Sequence, residues 1–192
     1  IQLQRHDVPC GMVYAYDDVI RDPHVLENQM VVDLQTPWGM VMFSNGPWQF
    51  SMTPVKPVEA PVYPGRNRDE ILQMLGCYGE SLASEVGSRH VNAETTDEGG
   101  RKSAPLEGLK VLDLTEEISG PFCSMQLSDV GAEVIKVENL SGDWSRSLGP
   151  SIKGESALFM ALNRNKKSIV LDINQEGGRE VVYRLAKEAD VV

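Results

Sequence analysis

Three cationic side chains crowd one short stretch, "ALNRNKKSIVLDI": Arg164, Lys166 and Lys167, with Asn163 and Asn165 beside and between them. Guanidinium and ammonium donors gathered just before an apolar run can meet a phosphate from a loop, because charge-assisted hydrogen bonds are the strong ones. The same run also suits a solvated turn bordering a strand, and composition alone leaves both readings open. A second candidate is "LTEEISGPF". Gly120-Pro121 suits a helix start, since a proline at the first helical position lacks only an N–H that would be unpaired anyway. A helix N-terminus there would aim N–H groups at the carboxyl end of a sheet, where ligands of open α/β folds bind. A tight turn with no ligand fits equally, and Glu116 and Glu117 could face either a site or water.

Other chemistries are disfavoured. The first strand is not followed by GxGxxG, and GxxxxGK[ST] does not occur, so neither a dinucleotide nor a P-loop nucleotide site is expected. His6, His24 and His90 share no spacing with one another or with a Ser or Cys nucleophile. Cys10, Cys77 and Cys123 form no CxxC pair and have no zinc spacing, so they read as reduced thiols with no metal, Cys123 as a small buried hydrophobe. A net charge of -10 argues against a nucleic-acid partner. No apolar run reaches the ~18 residues of a membrane span and no signal-peptide layout is present, so the expectation is a cytoplasmic protein without a membrane partner.

The elements that must position these residues fall into three pieces. Over residues 1–87, "MVVDLQTP" and "WGMVMFSNGPWQFS" predict an antiparallel ribbon, preceded by two short helical turns split at Pro23. A helix follows, with Ile71, Leu72 and Leu75 on one face and Gly76 as its stop. Residues 88–104 are polar and too poor in large apolar side chains to fold alone, hence a linker. Residues 105–192 alternate strand and helix: "KVLDLT", "EVIKVE" and "SIVLDI" predict strands, and "EGGREVVYRLAKEAD" predicts a helix with Val181, Val182, Leu185 and Ala189 on one stripe. The fold class is α/β: a Rossmann-like parallel half sheet preceded by a small α+β segment with an antiparallel ribbon.

"PLEGLKVLDLTEEISGPFCSMQLSDVGAEVIKVE", "GDWSRSLGP", "ESALFMALNRNKKSIVLDI" and "EGGREVVYRLAKEADVV" resemble, in order and spacing, the N-terminal half of family III CoA-transferases, the CaiB/BaiF family. "HDVPCGMVYAYDDVIRDPHVLENQMVVDL" and "APVYPGRNRDEILQMLG" resemble the opposite end of the same family. The resemblance implies a fragment spanning two tandem units: the end of one over 1–87, a linker over 88–104, and the start of another over 105–192. It further implies an acyl-CoA:carboxylate CoA-transferase acting on an acyl-CoA and a small carboxylic acid, with coenzyme A as the only cofactor. In that chemistry an aspartate attacks the thioester, passes through an anhydride and becomes an aspartyl-CoA thioester. The nucleophile is expected outside these residues, so the isolated chain is expected to be inactive. The tandem layout extends the acceptors to dimethylsulfoniopropionate, although no residue reads a sulfonium. By match to the family, the CoA cradle is Glu117, Ile118, Ser119 and Gly120 after the first strand, with Asn163, Arg164, Asn165 and Lys166. Where a basic residue often follows the second strand, Asn139 and Leu140 stand, and Arg146 is a substitute for phosphate contact. The implied assembly is an interlocked dimer or an intramolecular pseudo-dimer. An acyl-CoA racemase of the same fold and a non-catalytic supporting half are the alternatives.

Overall fold

The computed structural model describes residues 3–8, 10–11, 13–53, 58–77 and 104–192. The predicted linker lies outside the described residues except for Ala104. Asp22 caps a short helix from outside it, accepting from the His24 and Val25 amides, and Pro23 takes the first helical position. The two turns therefore remain separate, as α1 (Tyr16–Val19) and α2 (Pro23–Glu27).

β1 (Val31–Thr36) and β2 (Gly39–Ser44) form the antiparallel ribbon, in register from Val31↔Ser44 to Thr36↔Gly39. The Thr36 hydroxyl closes the turn by donating to the Gly39 carbonyl at 2.7 Å and accepting from the Trp38 amide at 3.1 Å. Period-two alternation puts Val32, Leu34, Val41 and Phe43 on one face, which packs with Trp38 against Met160. Trp38 also meets Tyr63 edge to face. α3 (Arg68–Met74) buries Ile71, and Gly76, at φ +66, is the left-handed stop read from the sequence.

The larger layer is a parallel sheet ordered β3 (Lys110–Asp113), β4 (Glu133–Glu138), β7 (Lys166–Val170), with Val191 bridging to the free side of β3 through Val111. α4 (Ser119–Asp129) links β3 to β4. A 3-10 turn (Trp144–Ser147), the small ribbon β5 (Ser151–Ile152) and β6 (Glu155–Ser156), and α5 (Ala157–Leu162) link β4 to β7. α6 (Glu176–Glu188) returns the chain towards Val191. Leu112, Ile135, Val137, Ile169 and Leu171 form one core with Leu185 of α6 and Ile71 of α3; Val111 and Val134 form another with Leu127 of α4. The fold is mixed α/β, as the alternation of strands and helices implies.

Two readings change. β7 begins at Lys166, not at Ser168, because Lys166 pairs with Val134 and Lys167 with Ile135 in the parallel ladder. Cys123 is exposed rather than buried, because α4 turns Pro121, Ser124 and Met125 inward and leaves Phe122 and Cys123 outside. The segments before and after the linker also pack on each other. Asn67 and Ser168 exchange hydrogen bonds along the outer edge of β7, the amide of Gly65 donates to the Ser168 hydroxyl, and Trp48 donates to Gln126 of α4.

Candidate functional site

Asp113, the last residue of β3, organises the turn that follows. One carboxylate oxygen accepts from the amide and hydroxyl of Thr115; the other accepts from Ser124 of α4 at 2.6 Å. Strand, turn and helix are thereby tied to one side chain. Glu117 adopts a left-handed conformation at φ +72, uncommon for a residue with a side chain. Gly120 has no alternative, since a Cβ there would overlap the side chain of Thr115. The outer surface of the turn is open: Leu114, Glu116, Glu117, Ile118 and Ser119 are exposed. Ile118 precedes α4 without a side-chain acceptor, so no side chain caps the first amides of that helix.

Beside this turn lies a groove of about 280 Å³ at the carboxyl ends of β3, β4 and β7. Its walls are apolar, from Leu114, Val137, Leu171, Ile173, Val182 and Tyr183, and Arg179 of α6 stands at its rim. Asn139, just after β4, donates to Glu116 at 2.9 Å and so links the loops after β4 and β3. An apolar slot with a few polar groups at its edge suits a flat, partly hydrophobic ligand.

Beneath the turn the sheet is charged. Period-two alternation turns Asp113, Lys136 and Ser168 to one face, where they stand side by side in the ladder register. The Lys136 ammonium donates to the Thr115 carbonyl at 2.7 Å and pairs with Asp143 at 2.7 Å. Lys166 donates to Asp113 at 3.0 Å, to the Pro121 carbonyl at 2.9 Å and to Asn163 at 2.8 Å. Burial raises the Asp113 carboxyl, but Lys166, Lys136 and the Ser124 and Thr115 hydroxyls overcome it and hold the pKa at about 2. Burial pushes the Lys166 ammonium down to about 8 against the pull of Asp113.

The residues expected to cradle CoA therefore divide. Glu117, Ile118, Ser119 and Gly120 form the rest of the turn after Glu116, and none of them lines the groove, which takes only Leu114 and Glu116 from this loop. Asn163, Arg164 and Lys166 are buried, with side chains turned inward. Arg164 grips Asp129 through Nε at 3.0 Å and Nη2 at 2.6 Å and reaches the Ser44 carbonyl at the end of β2. Asn165 bonds Asp129 at 2.9 Å and exchanges backbone and side-chain bonds with Glu59. In this conformation "NRN" is a bracket that joins α4, the ribbon and the segment near Glu59. Arg146 also points inward, forked on Glu138 at 2.8 and 2.9 Å, with its guanidinium 3.5 Å above the Phe159 ring. Lys136 and Glu138 escape a reading of "EVIKVE" as an apolar run, and Asp143 lies outside it, in the loop "GDWSRSLGP". The alternate placing of Lys136 and Glu138 was the available signal, since residues two apart share a face of a strand.

Among the described residues no group of three or more His, Cys, Asp or Glu side chains could hold a metal ion, and no helix is long and apolar enough to cross a membrane. The chain is 49% identical over 89 residues to the succinyl-CoA:glutarate CoA-transferase of Homo sapiens, a match covering 45% of this chain and 20% of that protein. It is 40% identical over 100 residues to the acetyl-CoA:oxalate CoA-transferase of Acetobacter aceti, covering 52% and 25%. The crystal structure of a CaiB/BaiF family protein from Brucella suis aligns with a TM-score of 0.44 at 47% identity, over 46% of this chain and 25% of that one. The matches thus span a fifth to a quarter of the length of these relatives. The family model of CoA-transferase family III matches residues 2–70 and 106–192, and the chain belongs to that family.

Proposed function

We propose that residues 105–192 supply the CoA-binding end of an acyl-CoA:carboxylate CoA-transferase. The observation that carries this reading is the apolar groove at the carboxyl ends of β3, β4 and β7, to which the loop after β3 contributes Leu114 and Glu116. The adenine ring fits the apolar walls, and the uncapped first turn of α4 offers amides to a phosphate. Arg164 and Lys166 contribute from below, by shaping the site rather than by touching the phosphates. The donor is an acyl-CoA and the acceptor a small carboxylate, the class named in the relatives above; dimethylsulfoniopropionate belongs in the acceptor screen because it carries such a carboxylate. An aspartate outside these residues attacks the thioester carbonyl, CoA leaves as thiolate, and the thiolate returns to the aspartyl carbonyl of the anhydride, freeing the donor acid. The acceptor then repeats the exchange. Residues 1–87 and 105–192 are read as parts of two family units joined by 88–104, in a parent that works as an interlocked dimer or pseudo-dimer.

Calorimetric titration of the 192-residue chain with acetyl-CoA tests the binding reading. Saturable binding, competed by free CoA and weakened by Leu114→Asp or Tyr183→Asp without loss of folded structure, is expected. A folded chain that shows no saturable binding overturns it.

A further inference from the structure

We propose that Lys136 and Lys166 are paired positioning residues that clamp the two ends of the Asp113–Pro121 turn from beneath and so set the shape of the acyl-CoA cradle; this rests on the CoA-binding reading above. The two ammonium groups hold different carbonyls of one loop. Lys136 takes that of Thr115 at its start, and Lys166 that of Pro121 at its end, 2.7 and 2.9 Å away. Both come from neighbouring strands of the sheet, the firmest support the fold offers. Each has a counter-ion, Asp143 for Lys136 and Asp113 for Lys166, so the cluster holds two positive and two negative charges.

Burial makes the arrangement directional. The side chains of Lys136 and Lys166 are 2% and 1% exposed, whereas the turn above them is open from Leu114 to Ser119. An ammonium with no route to water can be satisfied only by these carbonyls and carboxylates, so moving the turn away would strand buried donors. An apolar side chain in either place would fill the space and leave the carbonyls without a fixed partner. The left-handed Glu117 and the contact of Gly120 with Thr115 lie between the two grips, where a loop free to relax would lose them.

The charged groups facing Lys166 are Asp113 on β3, Lys136 on β4 and Asp143 in the loop after β4. When Lys166 loses its proton, near pH 8, two N–H bonds remain for three acceptors, and one grip on the turn or its partners is released.

Amide exchange and acetyl-CoA binding on the 192-residue chain test the clamp. In Lys166→Met and in Lys136→Met, peptides covering 114–122 should exchange at least about tenfold faster, while those of β4 and β7 keep their protection. Acetyl-CoA affinity of the unmodified chain should fall between pH 7.5 and 9.5, and in Lys166→Met it should be about tenfold lower already at pH 7.5 with no further fall. If Lys166→Met fails to fold, the Asp113→Asn/Lys166→Met pair removes both charges together and serves in its place. Unchanged exchange over 114–122 overturns the proposal, as does a fall in affinity at high pH that survives Lys166→Met. Should acetyl-CoA not bind the unmodified chain, the functional reading fails and exchange alone decides the clamp.

Discussion

Replacing Arg164 by Met separates a buried structural arginine from a ligand-binding one. The guanidinium is 2% exposed and Asp129 3%. Arg164 makes two bonds to Asp129 and another to the Ser44 carbonyl; without it the carboxylate keeps, among the described residues, the bond from Asn165 at 2.9 Å. Breaking a buried pair from one side costs about 3–5 kcal/mol, because the remaining charge is left without a counter-ion. Against a total stability of about 5–15 kcal/mol, that removes a large fraction of the folded margin. Urea unfolding followed by tryptophan fluorescence should show the midpoint fall accordingly. Arg164→Met/Asp129→Leu removes the stranded carboxylate as well and should recover part of the loss, so that the double variant is more stable than the single one. An Arg164→Met chain within about 0.5 kcal/mol of the unmodified protein, the range of ordinary surface substitutions, but with selectively weakened acetyl-CoA binding, would refute the reasoning and return Arg164 to the ligand.

Asp113 sets an acid limit. Its folded pKa, about 2 against the usual 3.8, is depressed, so the stability it contributes is present above about pH 4 and lost as pH falls towards 2. The amount is about 2 kcal/mol, and acid titration of Asp113→Asn should show a shallower loss over that window. Gly120→Ala should cost about 1–3 kcal/mol by overpacking against Thr115. Thr115→Ala should not repair it, since the overlap includes the Cβ of Thr115, whereas Thr115→Gly should; thermal melts of the single and double variants decide. Trp38→Ala should cost about 3–5 kcal/mol, because this buried ring docks the β1–β2 ribbon onto Met160, and amide exchange in both strands should rise with it.

What was legible in the sequence was whatever has a local cause. The Pro23 break, the β1–β2 ribbon, the left-handed Gly76 and the apolar stripe of α6 each follow from residue type and period, and each is where it was expected. α5 and the β5–β6 ribbon were not seen. Two-residue strands carry no period, and the helix of "ALFMAL" is set by the Ser156 hydroxyl accepting from Leu158 and Phe159, a cap that becomes visible only once the helix is known. At the candidate site the groove takes Leu114 and Glu116 from the loop after β3 rather than the Glu117–Gly120 stretch, and the orientation of "NRNKK" is not readable from sequence, because a cation before a strand can face water or a buried acid. Asp113, Asp129 and Glu133, which decide the matter, lie 30 or more residues away in the chain.

The buried charges are sorted by junction. Arg164 with Asp129 holds the ribbon end to α4; Arg146 with Glu138 and Glu155 holds the loop after β4, with the Val62 carbonyl added from the first segment; Lys136 and Lys166 hold the turn beside the groove. Replacing both partners of such a pair by apolar residues of similar volume often costs little stability, since desolvation offsets most of what a buried pair gains. What apolar packing does not provide is direction: a guanidinium forked on a carboxylate fixes two planes, and an ammonium shared among three oxygens fixes a point. Each cluster stands where one element or loop meets another without a shared backbone ladder, and those are the places where backbone pairing cannot fix position. The cluster under the turn is electrically even, whereas that around Arg146 has two carboxyls for one cation, and burial raises the Glu155 carboxyl there. Protonating Glu155 on acidification therefore leaves Arg146 with the Val62 carbonyl and with one carboxylate, Glu138, which already binds it through both oxygens. That junction is thus expected to outlast the loss of one of its charges, whereas the turn beside the groove depends on all four of its own.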